Sequence, residues 1–270
     1  MTGTVATTRE LELTESLAAV RARLAAAAEA AGRKADEIEL LPITKFFPAG
    51  DILILRQLGC EDFGESREQE ASNKVAEVRD IGDIGDVAPI RWHMVGRIQR
   101  NKARSIADWA YAAHSVDNRR VIDALAHAAA EALAEGRRGE PLRIYLQISI
   151  DGDKKRGGLY VERPDLIDAA CAAIDAAEGL EFVGLMAIPP LGADVDGAFA
   201  RLEVERERVQ RDYQQRLGLS AGMSSDLEAA VEHGSTCVRV GTALLGQRPL
   251  PSPEVVTPVT SSSQTPKPES

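Results

Sequence analysis

The sequence predicts an α/β fold, a single (β/α)8 TIM-type barrel with an extra N-terminal helix. Short apolar runs and helical stretches alternate eight times between Ile38 and Gly246. That is about 26 residues per unit, the spacing of a barrel of ordinary size. The 270 residues suffice for one large domain, and an open doubly wound sheet would normally use fewer strands for this length. One barrel domain over 8–249 is expected, with a disordered stretch at 1–7 and a disordered Pro/Ser/Thr tail at 250–270.

The elements follow in order. From Thr8 to Ala31 an apolar stripe of Leu11, Leu13, Leu17, Val20 and Leu24 marks the extra helix, and Gly32 stops it. The run Ile38–Ile43, closed by Pro48, reads as a buried first strand. A helix over 51–58 with Gly59 beyond it precedes a second strand at Cys60–Phe63 and a polar helix from Arg67 to Val78. GDIGDV at 82–87 is a loop. Ile90–Val95 is the third strand and 101–107 a short helix. Ala112–Ser115 is the fourth strand, and Asn118 caps the helix that reaches Glu135. Leu142–Ile150 is the fifth strand, followed by the turn DGDKKRGG and a helix over 164–177. Leu180–Ile188 is the sixth strand, and a long charged helix spans Val195–Leu217. Leu219–Met223 and Val238–Val240 are the seventh and eighth strands, with a helix at 226–232 between them.

Composition narrows the function classes. A net charge of −10 disfavours sequence-independent nucleic-acid binding, which needs a basic face. No apolar run approaches the roughly 18 residues of a membrane span, and the acidic N-terminus does not read as a signal peptide. Cys60, Cys171 and Cys237 are odd in number and lack CxxC spacing, so neither a disulfide framework nor a zinc site is indicated. Reduced thiols in a cytoplasmic protein fit best.

In a barrel, chemistry lies at the carboxyl ends of the strands, with phosphate held by the seventh and eighth loops. Lys45 follows the first strand and is hemmed in by Phe46 and Phe47. A desolvated lysine has a depressed pKa, and its neutral amine attacks carbonyls; the plainer reading is a lysine that snorkels to water. The seventh strand runs into Gly222, Met223, Ser224, Ser225 and Asp226, and the eighth into Gly241 and Thr242. Small residues with exposed N–H groups at a helix start bind phosphate, though each such pair alone signifies a turn as readily. Arg239 alternates with Val238 and Val240, so it faces the other way. It either lies inward, where a barrel is normally apolar and an arginine needs a partner, or outward with the valines inside. Lysine, arginine and two phosphate loops together suggest pyridoxal 5'-phosphate (PLP), with Arg239 facing the pyridine nitrogen. An arginine there disfavours ring protonation and weakens the electron sink.

The sequence resembles the pyridoxal phosphate homeostasis protein family (YggS/PROSC type), which shares a fold with the barrel domain of alanine racemases. The resemblance rests on ITKFFP around Lys45, DFGESREQE at 62–70, WHMVGRIQRNK at 92–102, the GDKKRGG turn, GLMAI at 184–188, and LSAGMSSDLEAAVEHGSTCVRVGTALLG at 219–246. It implies that Lys45 is the imine lysine, Arg239 the pyridine partner, and Ser224, Gly241 and Thr242 the phosphate binders, with Met223 in the same cradle. Ser66 stands where the family usually has an asparagine near the cofactor, and Arg97 replaces the usual histidine or proline. His93 matches a family position and reads as a structural histidine. Lys154, Lys155 and Arg156 face the rim as a charged turn, and Arg97, Arg100, Lys102 and Arg104 form either an anion-attracting rim or a solvated helix start. Alanine racemases add a second domain and a catalytic tyrosine that Tyr111, Tyr145, Tyr160 and Tyr213 do not match. The resemblance therefore implies a carrier or buffer of PLP serving vitamin B6 homeostasis, with apo-PLP enzymes as recipients; a closed barrel has no free strand edge demanding a partner, so a monomer is expected. The enzymatic alternative is a weak racemase or lyase.

Overall fold

Thr7 starts the chain's first helix, α1 (Thr8–Ala30), with a capping box. Its hydroxyl accepts the Glu10 N–H, and the Glu10 carboxylate accepts the Thr7 N–H. The helix buries Leu13, Leu17, Val20 and Leu24 against the outside of the barrel. The computed structural model describes residues 6–81, 89–153, 155–190 and 192–247. Residues 1–5, the GDIGDV loop, Lys154 and the tail from Leu250 lie outside the described residues.

The ring is built from β1 (Glu39–Pro42), β2 (Asp62–Glu65), β3 (Arg91–Met94), β4 (Ala112–Val116) and β5 (Leu142–Ser149). A two-residue β6 (Leu159–Tyr160) pairs with the end of β5 outside the ring, and β7 (Leu180–Met186), β8 (Gly218–Ser220) and β9 (Cys237–Val240) complete it. All pairs are parallel, in the order β1-β9-β8-β7-β5-β4-β3-β2. Between β2 and β1 a single bridge, Ile43 to Gly64, joins the ends, and the Thr44 N–H donates to the Gly64 carbonyl at 3.0 Å. Around the ring lie α2 (Ala49–Gln57), α3 (Glu68–Ile81), α4 (Ala103–Trp109), α5 (Arg119–Ala134), α6 (Pro164–Asp175), α7 (Val195–Gln210), α8 (Leu227–Glu232) and α9 (Thr242–Leu245). The (β/α)8 expectation with an extra N-terminal helix is met.

Strand alternation sorts the side chains into two layers. Trp92, Met94, Leu146, Leu219, Val238 and Val240 face the helices and form the two large apolar clusters. Inside the ring lies a small apolar group of Leu41, Ile43 and Cys237 with Val95 against it. Each fully buried large aliphatic side chain contributes about 1.5–3 kcal/mol, so the sheet–helix layer carries the hydrophobic stabilisation. The interior is thereby left for polar groups.

Among the boundaries that differ from the sequence reading, two have a clear physical cause. The charged helix stops at Gln210, not Leu217, because the Gln210 amide accepts the Leu217 N–H at 2.7 Å and donates to the Tyr213 and Gln215 carbonyls at 2.9 Å. Tyr213 leaves the helix to pack edge-on against Phe182, centroids 5.1 Å apart. The seventh barrel strand ends at Ser220, since Gly222 turns the chain at φ +91°.

Candidate functional site

Three neighbouring strand ends carry most of the predicted residues. Lys45 lies in the turn after β1, half-buried. β9 pairs with β1, Arg239 standing beside Leu41, and β8 pairs with β9. Ser66 follows β2, which meets β1 at the closing bridge.

The Lys45 turn is held from below. The Thr44 hydroxyl donates to Glu65 Oε1 at 2.7 Å, Lys74 Nζ donates to the Thr44 carbonyl at 2.9 Å, and Lys74 pairs with Glu65 at 2.7 Å. Phe46 sits at φ 71°, a left-handed conformation that costs a bulky residue free energy and persists only where surroundings enforce it. Its N–H donates to Glu70 Oε1 at 2.6 Å, and the Arg67 guanidinium lies 5.2 Å over its ring. Ser66 is fixed by close backbone packing: a Cβ at Gly96 would stand 1.9 Å from the Ser66 carbonyl oxygen.

The loops after β8 and β9 touch. The Ala243 N–H donates to Ser224 Oγ at 3.3 Å, and the Met223 N–H to Asp226 Oδ1 at 2.5 Å. Gly222 is required twice, by its positive φ and because a Cβ would lie 2.6 Å from Ala230 Cβ. Gly241 precedes α9 and stands over Ile43, which leaves its backbone at the foot of the Lys45 strand end.

Arg239 points inward, the reading that needed a partner, and Val238 and Val240 pack outward on the helices. It is 5% exposed and donates from Nη1 to Ser220 Oγ at 2.6 Å and from Nη2 to the Ala187 carbonyl at 2.9 Å. Burial lowers its pKa somewhat, but a guanidinium stays protonated.

Sequence reasoning left His114 unassigned and missed Ser220. Both lie in the interior, with His114 Nδ1 2.8 Å from Ser220 Oγ and His114 Nε2 2.9 Å from His93 Nδ1. His93 Nε2 in turn lies 3.0 Å from Asp62 Oδ1, so its structural reading is supported. Burial, then the charges of His93 and Arg239, hold the His114 pKa well below the usual range. Although burial opposes it, Arg91 and then His93 hold the Asp62 carboxyl down to about 2. The available signal was a polar residue at every second position of buried strands. Lys155 and Arg156 form the plain charged turn: Arg156 pairs with Asp151 at 2.5 Å and donates to the Pro189 carbonyl at 2.9 Å. Arg97, Arg100, Arg119 and Arg120 line an open groove between the loops after β3 and β4.

These residues fit a ligand with an aldehyde, a heterocycle and a phosphate: a strand-end amine, a buried guanidinium next door, and two touching loops of small residues.

The family model for the alanine racemase N-terminal domain matches residues 16–249. A pyridoxal phosphate homeostasis protein of Mycobacterium tuberculosis is 61% identical over 248 residues, 91% of this chain and 96% of its own length. That of Escherichia coli is 33% identical over 242 residues, covering 88% and 97%. Among solved structures, PipY of Synechococcus elongatus with PLP bound superposes with a TM-score of 0.71 at 31% identity, over 87% of this chain and all of that one. An alanine racemase from Corynebacterium glutamicum matches at TM-score 0.58 and 16% identity, over 88% of this chain and 63% of its own length, and so shares the fold alone.

Proposed function

The chain belongs to the alanine racemase N-terminal domain family and, within it, to the pyridoxal phosphate homeostasis proteins; from that premise we propose that it binds PLP reversibly and buffers or delivers it. The observation that carries this reading is the juxtaposition of Lys45, Arg239 and the touching 223–224 and 241–242 loops on three neighbouring strands. When bound, PLP supplies an electrophilic aldehyde and an electron-withdrawing ring. Lys45 offers the amine for the aldehyde. Ser224, Gly241 and Thr242 offer hydroxyl and backbone donors to the phosphate, with Met223 and Ser66 at its sides. Arg239 presents N–H donors to the ring nitrogen and, being a permanent cation, keeps a proton off it.

Holding rather than turnover is favoured by where the tyrosines are used. Tyr111 is engaged by Arg143 at 2.5 Å, Tyr145 stacks on His114 at 4.4 Å, Tyr160 lies exposed on β6, and Tyr213 packs on Phe182. Two-sided proton exchange at a substrate carbon requires a second acid–base group opposite the lysine, and none of these four is offered for it. Recipient apo-enzymes, a monomeric state and a cytoplasmic location complete the proposal. Among the described residues no helix is long and apolar enough to cross a membrane.

Borohydride reduction of the PLP-loaded protein followed by peptide mass spectrometry is the test. The adduct is expected on Lys45, and Lys45→Ala is expected to lose both adduct and visible absorbance. An adduct elsewhere overturns the site. Rapid deuterium exchange into D- or L-amino acids overturns the carrier reading in favour of a racemase or lyase.

A further inference from the structure

We propose that Asp62, His93, His114 and Ser220 form a one-directional hydrogen-bonded relay through the barrel interior that positions Arg239 for the cofactor ring. The proposal rests on the reading that Arg239 faces that ring. Five strands contribute, one residue each from β2, β3, β4, β8 and β9, with successive links of 3.0, 2.9, 2.8 and 2.6 Å.

The two ends fix the direction. Arginine has only donors, and an ionised aspartate only acceptors. Asp62 is held ionised by a bidentate Arg91, Nε to Oδ1 at 2.7 Å and Nη2 to Oδ2 at 2.6 Å. Ser220 Oγ accepts from Arg239, and with neutral imidazoles ordered from the Asp62 end His114 Nδ1 is left as an acceptor for the Ser220 proton. His114 then carries its proton on Nε2 and donates to His93 Nδ1, and His93 carries its proton on Nε2 and donates to Asp62. In this order Ser220, His114 and His93 each donate once and accept once along the chain, with both imidazoles neutral. Turning one imidazole alone would set two donors or two acceptors against each other at 3.0 Å or less.

Burial favours the neutral form of His114. His114 faces His93, Tyr145, Ser220 and Arg239, and it is fully buried. His93 faces Asp62, His114, Tyr111 with centroids 5.6 Å apart, and Glu39 at 3.9 Å. Glu39, Asp62 and His93 bring one ligand atom each within 4.8 Å of one another. The relay nevertheless puts a proton on His93 Nε2 and Arg91 on both Asp62 oxygens, so the trio is the anionic terminus of the relay and not an ion site. Its consequence lies at the other end. Two of the five Arg239 N–H groups are committed to Ser220 and Ala187, which fixes the guanidinium plane before any ligand arrives.

The test uses the full chain, with and without added PLP. Long-range ¹⁵N–¹H correlation spectra should show His93 and His114 each with a single proton, on Nε2. An Nδ1–H tautomer or an imidazolium at either residue overturns the relay. Ser220→Ala should weaken PLP binding roughly tenfold while borohydride still labels Lys45, and Ser220→Thr, which keeps the hydroxyl, should restore binding. Wild-type affinity in Ser220→Ala overturns the positioning role. Absence of the Lys45 adduct in the wild type sinks the PLP reading instead and leaves the tautomer result standing on its own.

Discussion

Lys74→Met is the sharpest single perturbation of the ground on which Lys45 stands. Lys74 is 7% exposed, and its partner Glu65 on the helix-facing side of β2 is 0% exposed. The ammonium meets Glu65 Oε1 at 2.7 Å and the Thr44 carbonyl at 2.9 Å. Removing it leaves Glu65 with only the Thr44 hydroxyl, and Glu65 Oε2 already has no hydrogen-bond partner. Deleting one partner of a buried ion pair costs about 3–5 kcal/mol, most of it the desolvated charge left behind. The urea midpoint should therefore fall by about 1–2 M at pH 7. The sign of the pH dependence is fixed. Burial raises the Glu65 pKa even in the native protein, and without Lys74 the folded carboxyl binds a proton more readily than the unfolded one. The variant must therefore regain stability as pH falls from 8 towards 5. Adding Glu65→Gln should recover a large part of the loss at pH 7. A cost below about 1 kcal/mol at pH 7, or one that does not change with pH, would refute the reasoning.

Two further expectations concern stability elsewhere. Gly222→Ala places a Cβ 2.6 Å from Ala230 Cβ at φ +91°; a thermal melt should register a loss of about 1–3 kcal/mol together with weaker PLP binding. His233 lies 3.0 Å from both Glu203 and Asp196; burial lowers its proton affinity, but these two carboxylates more than reverse it. Its folded pKa is raised, so its contribution is complete below about pH 6.5 and lost as pH rises through the folded value. Denaturation of His233→Gln should lack that slope.

The ring itself was legible because each strand is a short apolar run flanked by a turn. Alternation around Arg239 also announced two faces, but it could not say which one is the barrel interior. Here the valines face outward, because the larger apolar layer lies between sheet and helices. Ser220 and His114 escaped notice for a different reason: their hydrogen bond joins positions 106 residues apart, and a polar residue within one short strand does not say what it meets across the barrel. Gln210 was passed over because Tyr213 and Leu217 prolong the apolar pattern beyond the residue whose side chain ends the helix. Lys45, Gly241 and Thr242 were placed just after strand ends from position alone, where a barrel is expected to carry its functional groups, and the structure puts them there.

The extra helix α1, which no barrel requires, bears on how a chain of net charge −10 can offer a site to an anion. Backbone carbonyl oxygens in a loop repel phosphate as strongly as N–H groups attract it, so a phosphate loop works only if its carbonyls are drawn elsewhere. Arg23 of α1 donates to the Ser224 carbonyl at 2.6 Å and also holds Glu228. Arg9 of α1 donates to the Leu245 carbonyl at 3.1 Å and pairs with Asp51 at 2.6 Å. Arg23 thus takes a carbonyl of the loop after β8, Arg9 takes the last carbonyl of α9, and each also pairs with a nearby carboxylate. A third carboxylate, Asp226, is occupied by the Met223 N–H. On the proposed reading of the loop after β8 as a phosphate binder, α1 therefore acts from outside the barrel, its Arg23 drawing off the Ser224 carbonyl that would otherwise repel the anion.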